Sequence, residues 1–227
     1  MRQSEWFDSA EGSAITRIGL GNDRQWLSYA FQKHAIDYGI GILMLLPATI
    51  LLLAVAVAIK LDSPGPIFFC QTRRGLDNQL FTVVKFRSMY AHLSDINVER
   101  QTSRGDPRVT RVGKWLRRHS LDELPQLWNV LRGEMSLVGP RPHAPNMRVE
   151  GELLSAVNDD YLLRYRVKPG ITGWAQVNGV RGEVAKREDL GKRIDYDLDY
   201  IRRWSFGFDL RILILTMIRE IFSKNAF

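Results

Sequence analysis

Cysteine is almost absent: Cys70 is the single thiol in 227 residues. No intrachain disulfide can form, so nothing points to an oxidising compartment, and soft-metal sites built from clustered thiolates are excluded. Cys70 itself reads as a buried apolar filler. Histidine is nearly as scarce, and His34, His92, His119 and His143 lie too far apart in the chain to form a recognisable zinc ligand set. Neither a G-x-x-x-x-G-K-[ST] loop nor a G-x-S-x-G elbow occurs, which argues against a P-loop nucleotidase and an α/β-hydrolase. Acidic side chains are in deficit, 25 against 32 Lys and Arg, for a net charge of +7. Residues 1–35 hold four of each sign, so the part after residue 59 carries the excess. Its partner should be anionic: nucleic acid, acidic lipid headgroups or phosphorylated metabolites.

The length suits one domain with a single core and small appendages. Charge is missing altogether from "YGIGILMLLPATILLLAVAVAI", Tyr38 to Ile59, and a run of that kind reads as a membrane segment. As a straight helix it would be about 33 Å long against a hydrocarbon core of about 30 Å. It starts too late and is too long for a cleaved signal peptide. Pro47 removes a backbone bond within the run and should kink the helix. Two arms of about 16 to 18 Å each would reach mid-bilayer and return to the same leaflet. Lys33 before the run and Lys60, Arg73 and Arg74 after it fit two cytoplasmic ends. From the residues alone, spanning and re-entrant geometries both stand, and either puts the basic remainder on the cytoplasmic side.

Beyond the run, "PIFFCQTRRG" and "QLFTVVKFRSM" are β-branched and aromatic stretches joined by "LDN", the pattern of a hairpin. Residues 99–118 carry seven Arg or Lys against Glu99 and Asp106, the densest positive field in the chain, and lead into Asp122 and Glu123. In "SLDELPQLWNVLRGEM", Leu121, Leu124, Trp128 and Leu131 recur at helical spacing, with Gly133 as the stop. Ser120 with Glu123 fits a capping box. Pro125 confines the two carboxylates to the first turn, where the helix dipole favours their ionised forms. Consecutive helical positions point about 100° apart, so the pair suits two separate tasks. In "SLVGPRPH", Pro140 and Pro142 fix the backbone around Arg141, whose rigid fork of donors matches phosphate oxygens. "VKPGITGWAQVNG", 167–179, has the composition of a binding loop. "FDLRILILTMIRE", 208–220, reads as an interfacial helix.

Together, the Pro-interrupted run, "SPGPIFFCQTRRG", "FTVVKFRSM", "DPRVTRVGKWLRRHSLDELPQLWNVLRGEMSLVGPRP", "KPGITGWAQVNG" and "DYDLDYIRRWS" resemble the monotopic phosphoglycosyl transferases, also called bacterial sugar transferases, from about residue 33 to 223. The resemblance implies an α+β fold: a mainly helical small catalytic domain with a β-hairpin or small sheet, amphipathic interfacial helices and one Pro-kinked re-entrant membrane helix. With a membrane helix at 33–60 and a cytoplasmic catalytic domain at 61–227, residues 1–32, outside the resemblance, read as a flexible or interfacial tail with Trp6 and Trp26 at the headgroups. The implied reaction transfers sugar 1-phosphate, glucose favoured, from a UDP-sugar to undecaprenyl phosphate at the cytoplasmic face of the bacterial inner membrane, releasing UMP. This would be the first step of exopolysaccharide or glycoconjugate assembly.

By the same resemblance Asp122 is the nucleophile of a covalent aspartyl-phosphosugar intermediate, and Glu123 is associated with Mg²⁺. Arg141, then Arg117 and Lys85, then Arg87 and Gln176 are the substrate-binding candidates. Inner-membrane lipids, a weak homo-oligomer and downstream glycosyltransferases are the further expected partners, with nucleic acid excluded. The chain departs from the family in "KHAID", where His34 replaces one of two basic residues and weakens the expected headgroup contact. His143 is like the members that transfer glucose 1-phosphate. Two other classes remain for comparison. Asp195, Asp197 and Asp199 could serve a metal-dependent glycosyltransferase or nuclease, although Tyr196 and Tyr200 suggest a packed face there. A basic scaffold without catalysis is the other.

Overall fold

The computed structural model describes residues 23–94 and 105–222. Residues 1–22, which include Trp6 and most of the expected tail, lie outside that range, as do residues 99–104 of the basic stretch and the side chains of Trp26 and Pro47. The chain begins with a 40-residue helix, α1 (Asp23–Asp62), so residues 23–32, expected as tail, are helical. Its backbone stays helical through Pro47. No helix among the described residues is long and apolar enough to cross a membrane. Next come β1 (Phe68–Arg74), β2 (Leu80–Phe86), α2 (Arg111–Arg118) and α3 (Gln126–Leu131), followed by β3 (Ser136–Val138), β4 (Arg148–Val149), β5 (Glu152–Leu153) and α4 (Leu154–Val157). A 3₁₀ stretch at Asp159–Arg166, β6 (Gly170–Thr172), α5 (Trp174–Val177), α6 (Arg187–Arg203) and α7 (Phe206–Phe222) complete the α+β fold.

The expected hairpin is present: β1 and β2 pair antiparallel from Phe68 opposite Phe86 to Arg74 opposite Leu80. Its turn, Leu76–Asn78, needs left-handed backbone at Asp77 (φ 50°) and Asn78 (φ 60°), and Asp and Asn are the non-glycine residues that tolerate it. Cys70 does not fill the core. It is exposed on the outer face of β1, because the strand alternates and its neighbour Gln71 takes the inward position.

Two cores result. The larger gathers Val83, Leu127, Val130, Leu137, Tyr161, Leu190, Ile194 and Ile212 from the hairpin, α3, β3, the 3₁₀ stretch, α6 and α7. The smaller joins Val55 and Ile59 of α1 to Phe86 and Leu116, with Leu121 packed against it. The smaller core seats α1 on the segment that carries Asp122. Asp62 reinforces that seat by accepting the Val112 amide at 3.1 Å, while Thr110 Oγ1 accepts the Gly113 amide at 2.9 Å, so two of the orphan donors at the start of α2 are satisfied.

Gly113 lets α2 lie directly against the Ser88 backbone, since a Cβ there would stand 2.0 Å from Ser88 O. Gly113→Ala should therefore cost about 2 kcal/mol from overpacking despite alanine's better helix propensity. Equal thermal melts for Gly113→Ala and wild type would contradict this close approach.

Lys33 and its neighbours turn inward. Lys33 Nζ donates to Asp209 Oδ2 of α7 at 2.5 Å, and Asp37 Oδ1 accepts the Leu137 amide at 3.2 Å. His34 Nε2 lies 2.5 Å from Lys168 Nζ. The KHAID segment thus binds α1 to α7, β3 and the 167–179 loop, and Lys33 is spent on the fold instead of facing headgroups. Away from these contacts, Ile42, Leu43, Ile50, Leu53, Val57 and Leu61 of α1 are exposed, as are Phe206, Leu210, Ile214, Met217 and Ile218 along one face of α7. That many exposed large apolar side chains on two helices are unusual for a protein meeting only water.

Candidate active site

The helix expected from Ser120 is broken in two. Residues Leu121–Glu123 form a single 3₁₀ turn, and α3 starts only after Pro125. Ser120 takes the left-handed conformation (φ 53°) and makes no capping bond through its side chain, so the capping box does not form. It serves as the turn that ends α2, the position where chains leave a helix through left-handed backbone. The apolar stripe is also displaced: Trp128 is exposed, while Leu127, Asn129 and Val130 are buried.

Asn129 explains the shift. Its Oδ1 accepts the Val84 amide at 3.1 Å, and its Nδ2 donates to Thr82 O and to Glu134 Oε2, both at 2.7 Å. A fully buried amide thereby stands in for a strand partner of β2 and locks α3, with the carboxylates before it, against the strand that carries Lys85. A polar residue on a helix gave no periodic signal by which this function could be read.

The two carboxylates occupy opposite states. Glu123 is enclosed by cations. Lys85 Nζ donates to Oε1 at 2.6 Å, while Arg141 donates from Nη2 to Oε1 at 2.5 Å and from Nη1 to Oε2 at 3.0 Å. Burial alone would raise the Glu123 carboxyl, but Arg141 and Lys85 outweigh it and hold the group well below the usual carboxylate range. Asp122 is buried and accepts no hydrogen bond from the described residues. Burial first, then the charge on Glu123, push its carboxyl up against the pull of Lys85, Arg117 and Arg141. A three-residue turn at the end of a basic helix supplies little favourable dipole, so surrounding guanidinium and ammonium groups, not a helix N-terminus, set the electrostatics.

Arg117 faces Asp122 electrostatically, and its Nε donates to Ser88 Oγ at 2.8 Å. Arg141 rides on the loop after β3, held by the parallel pair of β3 with β6. The Gly139 amide donates to Thr172 O at 2.9 Å and the Gly170 amide to Pro140 O at 3.0 Å. The two chains approach so closely that a Cβ on Gly170 would meet Gly139 N at 2.0 Å. Arg73 joins from β1, donating from Nη1 to Pro142 O at 3.4 Å. Burial and then the neighbouring Arg141 pull it down to about 10.

Of the expected site residues, Asp122, Glu123, Lys85, Arg117 and Arg141 therefore come together. Arg87 stands apart: its buried guanidinium donates to Pro64 O at 2.5 Å and to Ser63 O at 2.7 Å, closing the end of α1. Gln176 is likewise outside the cluster, buried behind the Gly139 loop with its Nε2 on Ile171 O at 3.0 Å. The D-x-D pattern separates as well. Asp197 is buried against Arg164, Asp199 pairs with Arg203, and Asp195 is exposed, so the aspartates do not converge. His143, expected to mark the donor sugar, is buried and faces the interior.

Among the described residues no three His, Cys, Asp or Glu side chains gather into a metal cage. Mg²⁺ needs none: it commonly takes one or two carboxylates and completes its shell with substrate phosphates and water. Glu123 Oε2, which receives one N–H at 3.0 Å, keeps lone-pair capacity for such an ion, and Asp122 lies next to it in sequence. The donor set fits a substrate-completed Mg²⁺ site.

The profile of the bacterial sugar transferase family matches residues 28–223. Similar proteins include an undecaprenyl-phosphate glucose phosphotransferase of Komagataeibacter xylinus, 60% identical over 86% of this chain and 37% of its own length. A UDP-glucose:undecaprenyl-phosphate glucose-1-phosphate transferase of Escherichia coli is 49% identical over 86% of the chain and 41% of its own length. The protein of that name from Caulobacter vibrioides is 46% identical over 97% of the chain and 81% of its own length. The chain thus spans well under half of the first two relatives and most of the third.

Proposed function

Because this chain belongs to the bacterial sugar transferase family, we propose that it transfers a hexose 1-phosphate, glucose 1-phosphate foremost, from a UDP-sugar to undecaprenyl phosphate, releasing UMP. The observation that carries the proposal is the contrast within the dyad: Glu123 is paired with Lys85 and Arg141, while the adjacent Asp122 carboxylate is uncommitted and ringed by positive charge. An uncommitted carboxylate can act as nucleophile, and its ion-paired neighbour can anchor the cations that receive a diphosphate.

In the first step an Asp122 oxygen attacks the β-phosphorus of the UDP-sugar, and the bond from that phosphorus to the bridging oxygen breaks. UMP leaves with the electron pair, and the sugar phosphate remains on Asp122 as an acyl phosphate. In the second, a phosphate oxygen of undecaprenyl phosphate attacks the same phosphorus, restoring the Asp122 carboxylate and giving the lipid diphosphate sugar. Arg141, Lys85 and Arg117 orient the diphosphate and offset its charge, Arg141 by a fork with donors left after Glu123 is satisfied. Mg²⁺ held at Glu123 would supply further charge neutralisation for the leaving group.

The exposed apolar faces of α1 and α7 suit a monotopic placement at the cytoplasmic face of the inner membrane, where the lipid and nucleotide substrates can meet. There α1 enters and leaves one leaflet, and the product opens exopolysaccharide or glycoconjugate assembly for downstream glycosyltransferases. The test incubates purified protein with Mg²⁺, undecaprenyl phosphate and a panel of UDP-sugars while UMP is measured. UDP-glucose should give the fastest release. Absence of UMP with every donor rejects the transferase reading. A reporter fused at residue 1 should stay cytoplasmic, and its periplasmic exposure rejects the re-entrant placement.

A further inference from the structure

The loop that presents Arg141 is held from behind by a buried guanidinium. Arg164, on the Asp159–Arg166 stretch, is 1% exposed, and its donors divide between an anchor and the loop. Nε and Nη2 donate to Asp197 Oδ2 of α6 at 3.0 and 2.7 Å. Nη2 also donates to the Arg141 carbonyl at 2.8 Å, and Nη1 lies 2.6 Å from His143 Nδ1. The Tyr161 and Tyr165 ring centroids lie 5.4 and 5.8 Å from the guanidinium carbon, within cation–π range.

The partner of Arg164 on the loop has one usable protonation state. The Tyr161 hydroxyl lies 3.0 Å from His143 Nδ1, and the Tyr165 hydroxyl donates to Tyr161 oxygen at 3.0 Å. Arg164 can only donate, so Nδ1 must offer its lone pair, and with the Arg193 guanidinium 3.4 Å from Nε2 the ring is neutral. Burial, then the charges of Arg164 and Arg193, hold His143 well below the ordinary histidine value, in agreement with the geometry. On the other side, the Arg74 amide donates to the His143 carbonyl at 3.0 Å, so the loop is gripped between β1 and Arg164.

We infer that Arg164 is a positioning residue for the transfer, acting through the Arg141 carbonyl and the neutral His143 ring to hold the Arg141 fork opposite Glu123. The inference rests on the transferase reading. A purely structural ion pair with Asp197 would leave the Arg141 and His143 contacts incidental, and the two roles differ in measurable coupling.

A double-mutant cycle separates them, using UMP release from UDP-glucose with Mg²⁺ and undecaprenyl phosphate. Arg164→Lys should lower kcat/KM about 30-fold with Arg141 intact but less than about 3-fold in an Arg141→Lys background, since residues acting through one contact do not add. Equal losses in both backgrounds overturn the inference. Should Arg164→Lys not fold, the loop side decides: His143→Leu, which removes the acceptor, should show the same loss and the same background dependence. His143→Asn, whose Oδ1 can take the place of Nδ1, should restore kcat/KM to within about 3-fold of wild type. A folded His143→Leu protein with wild-type kcat/KM also overturns it. If wild type itself releases no UMP, the transferase reading falls and takes this inference with it. If wild type turns over and the cycle is additive, the inference alone falls.

Discussion

Asp122→Asn is expected to release UMP at least about 10⁴-fold more slowly than wild type while melting at the same temperature or above. The activity loss follows from the proposed chemistry, because an amide cannot form the acyl phosphate. The stability gain follows from the environment. Burial and the Glu123 charge raise the Asp122 carboxyl above its ordinary 3.8, so the folded protein binds that proton more tightly than the unfolded chain does. Stability then falls as pH rises from about 4 through the folded value, and above it the full cost of the buried charge remains. Asparagine removes the charge and the repulsion from Glu123. Intact mass after donor alone should show wild type heavier by one sugar phosphate and the variant unchanged. Full turnover by Asp122→Asn would end the nucleophile assignment. The same raised value predicts an acid limb of kcat/KM with its midpoint above the ordinary aspartate range, because the free enzyme must lose that proton before it can attack. A midpoint at or below 3.8 would contradict the buried setting of Asp122.

Asp197→Asn should act in the opposite way, through the fold. Removing one partner of a buried pair strands the other charge, at a cost of about 3 to 5 kcal/mol, which in a protein of this size lowers the melting temperature by roughly 6 to 20 °C. Asp195→Asn, at an exposed position two residues away, should change neither melting nor turnover measurably, as is usual for surface sites. Were the D-x-D pattern a metal site, both variants would lose activity at unchanged stability. The burial of Asp197 against Arg164 is why the structure favours the ion pair.

These two aspartates show how unevenly the sequence spoke. Asp122 was legible because a dyad beside a basic stretch is a local pattern, and Arg141 because two prolines mark a rigid loop. Lys85 could be named, but its 38-residue separation from Glu123 is closed only by the hairpin packing on α3. Arg87 and Gln176 were misplaced for the same reason. A buried arginine that closes a helix and one that meets substrate look alike until the carbonyls around them are known. The amphipathic helix from Ser120 failed because periodicity counted Trp128 as core, whereas Asn129 had a stronger claim to burial: the unpaired Val84 amide and Thr82 carbonyl of β2 had to be satisfied.

What the residues alone determined was local and compositional: a long uncharged segment, a hairpin whose turn residues tolerate left-handed backbone, an excess of positive charge, and the family with its carboxylate dyad. What only the packed chain decided was the division of labour among like residues. Which acid is ion-paired and which is left uncommitted, which arginines face Asp122 and which hold the fold, and which way Lys33 and Cys70 point all depend on contacts between segments far apart in sequence. Hydrogen-bond satisfaction and charge pairing are properties of those contacts, and no one-dimensional pattern contains them.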